Sequence, residues 1–179
     1  PAFASDPRVN PALTSPHQVP HTGEDIDVDG VLDEPAWREA LVLELGYEVQ
    51  PGENIEPPVR TEVLVMANDV SVFFGFRAYD PEPEKIRAHL SDRDDVGNDD
   101  WVAVVLDTFN DERRCYDLLV NPLGVQADFI ETESGNSGSW DAIWDSAGTI
   151  TDWGYSVEMR VPYSSLRFQA SDEPQIWGF

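Results

Sequence analysis

Trp140, Trp144 and Trp153 lie close together in the sequence, just after a small polar stretch, Ser134–Ser139. Flat indole faces suit the C–H side of a pyranose ring, and planar amides and carboxylates suit its hydroxyls. Asn121, Gln126 and Asp128 stand nearby in the chain and supply those polar groups. The six residues together form a candidate ligand-binding set. The same tryptophans also fit a second role, as large rings that close the ends of a hydrophobic core.

A second chemistry sits in the run Ser91–Asp100. Asp92, Asp94, Asp95, Asn98 and Asp99 cluster around Gly97. A hard cation such as calcium takes six or more oxygens, which carboxylates, an amide and loop carbonyls can provide. The spacing is not that of an EF-hand, so a solvated acidic loop is the alternative. Catalysis finds no support. Paired carboxylates mean little in so acidic a chain, and His17, His21 and His89 show no metal-ligand spacing. There is no glycine-rich phosphate loop, so no nucleotide is expected. Cys115 reads as a packed strand residue, and Met66 and Met159 read as core, so no haem is expected either.

These residues need a scaffold. The 179-residue chain fits one domain, and 41% hydrophobic content with six tryptophans is ample for a core. Net charge is -24, from 35 acidic and 11 basic residues, with Lys85 the one lysine. Such a surface repels nucleic acid and anionic membranes. No apolar run is long enough to insert into a bilayer. Solubility, calcium ligation and adaptation to salt remain open as reasons for the acidity. The single cysteine excludes an intrachain disulfide.

Residues 1–24 read as an extended leader, rich in Pro, Ser, His and Thr. Ala2-Phe3-Ala4 before Ser5-Asp6 has the small-x-small pattern left by signal-peptide cleavage. Alternation predicts a short strand at Ile26–Gly30, and Asp33 with Pro35 predicts a short helix ending near Ala40. Strands follow at Leu41–Leu45, Thr61–Met66 and Val72–Arg77, the last two forming a hairpin around Asn68-Asp69. Pro81 and Pro83 interrupt, with one helical turn predicted at Glu84–Ala88. The near-continuous apolar run Trp101–Leu106 predicts a central strand covered on both faces. Arg113–Val120 and Val125–Ile130 pair around Asn121-Pro122-Leu123-Gly124, and Ile143–Ile150 pairs with Tyr155–Val161. The expected fold is all-β, an antiparallel, jelly-roll-like β-sandwich over residues 25–179 with one or two short helices.

Several motifs recur together. Asp33-Glu34-Pro35-Ala36-Trp37, Asp99-Asp100-Trp101, Asn121-Pro122-Leu123-Gly124, Trp140-Asp141-Ala142-Ile143-Trp144 and Arg160-Val161-Pro162-Tyr163 appear in order. With Trp177-Gly178-Phe179 they resemble family 9 carbohydrate-binding-module-like domains, of the type at the N-terminus of large bacterial proteins that continue into an outer-membrane β-barrel-like region. The resemblance implies a non-catalytic domain that binds an oligo- or polysaccharide, with Asn121 at a sugar-contacting position, and calcium in some members. It also implies export to the periplasm, outer membrane or exterior of a Gram-negative cell. The alternatives are an accessory domain packing on the C-terminal barrel region without binding sugar, and the non-catalytic part of a hydrolase-like protein. The chain is expected to be a fragment of a longer one, since Ile176–Phe179 reads as the start of a strand.

Overall fold

The computed structural model describes residues 16–48, 53, 55–171 and 173–179. The expected cleavage pattern at Ala2–Asp6 therefore lies outside the described residues. The fold is an all-β sandwich. Its strands are β1 (Leu41–Glu44), β2 (Thr61–Ala67), β3 (Ser71–Tyr79), β4 (Val102–Leu106), β5 (Arg114–Val120), β6 (Gln126–Thr132), β7 (Gly135–Ser137), β8 (Asp145–Thr151) and β9 (Gly154–Pro162). One antiparallel sheet runs β1-β2-β3-β9-β8 and the other β4-β5-β6-β7. Both are meanders of sequence neighbours, except that β9 returns beside β3 after the chain has visited the second sheet.

Local turn chemistry explains the hairpins. Asn68 Oδ1 accepts the amides of Val70 and Ser71, closing β2–β3. Asn121 Oδ1 does the same for Leu123 and Val125, with Gly124 at φ +83, between β5 and β6. Gly154 turns β8 into β9 at φ +139, where a Cβ would stand 2.0 Å from the Ala78 carbonyl oxygen. Between the sheets, Val63, Phe74, Phe76, Val157 and Met159 meet Val104, Tyr116, Leu118 and Val120 in one core.

A second layer covers the other face of the five-stranded sheet. Ile26, Leu32 and Trp37 pack on Leu64, Met66 and Phe73. Gly75 makes room for them: a Cβ there would lie 2.6 Å from the Leu32 side chain and 3.0 Å from the Trp37 ring. Beside it in register stands Glu158, fully buried, which accepts the amides of Asp29 and Gly30 and the Trp37 indole N–H. Burial pushes this carboxyl up to about 7, against the pull of the amide bonds.

Three local expectations are corrected. Ile26–Gly30 is not a strand, because the amides of Asp29 and Gly30 go to Glu158 instead of a ladder. The helix is a four-residue 3₁₀ turn, Pro35–Arg38, with Glu34 and not Asp33 before it and no side-chain cap. β4 is not a central strand covered on both faces. It forms the margin of its sheet among the named strands, with Val105 turned to solvent. Within the expected leader, the backbone of Pro20 and Thr22 bonds Ala67 at the end of β2.

Candidate functional site

Of the expected binding residues, Gln126, Asp128 and Trp144 come together, around Arg93. Its guanidinium donates to the Asp128 carboxylate, to Gln126 Oε1 at 2.6 Å and to the Ala142 carbonyl at 2.9 Å. Trp144 Nε1 donates to Asp128 Oδ2 at 2.7 Å, and Gln126 Nε2 donates to the Trp144 carbonyl at 3.0 Å. Trp144 is only 5% exposed and Asp128 1%. The indole is thus a core ring whose one polar atom is spent on a buried carboxylate. Beside it lies a hollow of about 300 Å³, lined by Asp27, Gln126, Asp145, Ser146 and Arg160, where Arg160 and Asp145 are already paired.

Asn121 is fully buried. Its Nδ2 donates to the His89 carbonyl and to Asp99 Oδ2, and its Oδ1 holds the turn described above. Both ends of the amide serve the chain itself, so it acts as a strut.

The acidic loop is likewise partly committed. Asp99 accepts from the His89 ring at 2.6 Å, from the His89 amide and from Asn121, which hold its carboxyl down to about 2. Asp94 Oδ1 accepts the Asp128 amide at 3.1 Å. Asp92, Asp95 and Asn98 are exposed. Among the described residues, the acidic, thiol and imidazole groups that converge closely lie elsewhere, on the four-stranded sheet.

Trp140 leans on Tyr116, ring centroids 4.8 Å apart, and is half-buried against the core. Trp153 differs. It lies beyond the far end of β8 from Trp144, a strand of six steps or about 20 Å. The residue is 36% exposed, and its ring tilts against Tyr79 at 5.2 Å. The two rings border a hollow of about 430 Å³ shared with Arg60, Asp80, Pro81 and Asp152. Tyr79 donates its hydroxyl to Glu62, which also receives Arg60, and the Arg60 guanidinium lies over the Tyr79 ring. This bracing fixes the aromatic wall in place. Sequence reasoning missed Tyr79 and Arg60. Nothing in their spacing points to Trp153, and only the pairing of Tyr79 with Gly154 brings them to it.

No family model and no curated protein matches the sequence. The architecture does have a counterpart. A carbohydrate-binding module of family 9 from Caldicellulosiruptor kristjanssonii, solved in complex with cellotriose, superposes with a TM-score of 0.53 at 17% identity. The chain has the family 9 fold. The match covers 80% of this chain and 65% of that one, so the chain spans less than two thirds of the module it resembles.

Proposed function

We propose that this domain binds an oligosaccharide, non-catalytically, in the hollow beside Trp153. One observation carries the reading: Trp153 and Tyr79 present aromatic surface to a concavity that also holds Arg60, Asp80 and Asp152. An open ring stacks on the apolar face of a sugar, and the charged groups bond its hydroxyls. The cellotriose held by the protein of like fold supports the ligand class.

Trp153→Ala is expected to weaken oligosaccharide binding about tenfold to a hundredfold, the equivalent of losing about 1.5–3 kcal/mol of buried aromatic contact. Isothermal titration against soluble glucans and xylans would measure it. Binding unchanged by Trp153→Ala but abolished by Gln126→Ala would move the site to the smaller hollow beside Trp144. Turnover of glycosides by the isolated chain would overturn the non-catalytic reading.

Calcium at Asp92, Asp94, Asp95, Asn98 and Asp99 belongs to the same proposal, supported by the charge density of the loop and the exposure of Asp92, Asp95 and Asn98. Calcium is expected to raise the melting temperature more than sodium at equal ionic strength. Equal shifts would reduce the effect to screening of the -24 charge. Export, and a place at the envelope of a Gram-negative cell beside a barrel region, rest on the sequence resemblance. One observation favours the accessory-domain reading: Trp101 and Val105 leave the outer face of the four-stranded sheet partly apolar and open.

A further inference from the structure

The open face of the four-stranded sheet carries a cluster that the sugar site does not use. Cys115 and Asp117 are two residues apart on β5, so their side chains share a face. Glu131 on β6 is the direct cross-strand partner of Cys115 and joins them. The thiol sulfur and one oxygen of each carboxylate all lie within 4.8 Å of one another.

Asp117 is the telling member. It is only 6% exposed, yet among the described residues no cation and no N–H donor reaches its carboxylate. Its polar neighbours are the Cys115 thiol and another acid, Glu131. Buried carboxylates are ordinarily paired or bound to metal. Every other buried acid among the described residues has such partners: Glu62 has Arg60 and Tyr79, Asp128 has Arg93, Glu158 has three N–H groups, and Asp99 has His89 and Asn121.

We infer that Cys115, Asp117 and Glu131 form a binding site for one thiophilic divalent transition metal, with zinc as the best fit. A tetrahedral zinc with a Zn–S bond of about 2.3 Å and a Zn–O bond of about 2.0–2.1 Å places sulfur and oxygen about 3.5 Å apart. The Cys115 Sγ to Asp117 Oδ1 distance is 3.6 Å. Three protein ligands leave the fourth position to water from the open side, where Glu131 is exposed. Binding replaces the thiol proton, which leaves to solvent, by the metal–sulfur bond. The thiolate selects against calcium and magnesium, which take oxygen ligands. This site is independent of the hollow beside Trp153.

The experiment is a cobalt(II) titration of the metal-free protein, followed by zinc. Expected are a thiolate-to-cobalt charge-transfer band saturating at one equivalent, visible bands of tetrahedral intensity, and their loss when zinc is added. Cys115→Ala should abolish the band. Glu131→Gln, at an exposed position, should weaken zinc binding by at least the roughly tenfold to hundredfold typical of losing an outer-shell partner. Zinc should raise the melting temperature of the unmodified protein and not that of Cys115→Ala. No band in folded protein at millimolar cobalt would overturn the site, as would a band indifferent to Glu131→Gln.

Discussion

Trp144→Ala is expected to lower stability by about 3–5 kcal/mol, the range for truncating a buried large aromatic ring. The loss has two parts. The ring leaves a cavity in a core where Trp144 is 5% exposed, and Asp128 Oδ2 loses the indole N–H, keeping the Arg93 guanidinium and the Ala142 amide as donors. Asp128 Oδ1 has no protein partner, so the carboxylate depends on the donors to Oδ2. Trp144→Phe separates the parts: it keeps most of the ring and forfeits the hydrogen bond, at a cost of about 1–3 kcal/mol. Trp153→Ala, at the surface, should stay within about 0.5–1 kcal/mol. Domains of this kind have about 5–15 kcal/mol in total, so the first substitution endangers folding and the last does not. Urea denaturation of the three variants tests the order. A Trp144→Ala protein within about 1 kcal/mol of the parent would show that the indole is not part of the core.

The second large effect depends on pH. Burial holds the Glu158 carboxyl at about 7, against an ordinary value of 4.5. Because the folded state keeps a proton that the unfolded state releases, the contribution is fully present below about pH 4.5. It is lost as pH rises through about 7. A shift of this size amounts to about 3 kcal/mol. Glu158→Gln keeps the shape and removes the titration. The stability of the parent relative to Glu158→Gln should therefore fall by about 3 kcal/mol between pH 4.5 and pH 8. A difference that stays flat would show that the amides of Asp29 and Gly30 and the Trp37 indole fully compensate the buried charge. The same comparison probes the N-terminal layer, since those three donors all belong to it. Glu34, which also bonds the Trp37 indole, adds a like charge that favours protonation.

Much of the fold was legible in the sequence because it is written in local chemistry. Strand alternation is a property of neighbouring residues, and so are the Asn68, Asn121–Gly124 and Gly154 turns that join β2–β3, β5–β6 and β8–β9. With these elements recognised, an antiparallel sandwich was the natural way to bury their apolar faces. What covers each face was not legible. The run Val102–Leu106 is apolar enough for a strand buried twice over, yet among the described residues no layer covers its outer side, and Val105 faces water. Leu64 and Met66 face outward from the same kind of alternation, but the Ile26–Trp37 segment returns to cover them.

The candidate site divides in the same way. The sequence alone determined that tryptophans, amides and carboxylates of the kinds used in sugar recognition were present, on a chain of net charge -24. Only the tertiary structure decided which rings are available. Trp144 turns inward because its N–H finds a buried carboxylate from another strand, while Trp153 sits on the β8–β9 turn, packed on Tyr79 and still partly exposed. Tyr79 and Arg60 reach Trp153 solely through β3–β9 and β2–β3 pairing. Cys115, Asp117 and Glu131 meet because two strands run side by side in one register. Local propensity names the elements and the chemistry on offer. Solvent access and the meeting of distant side chains depend on how the sheets stack, which no short stretch of chain records.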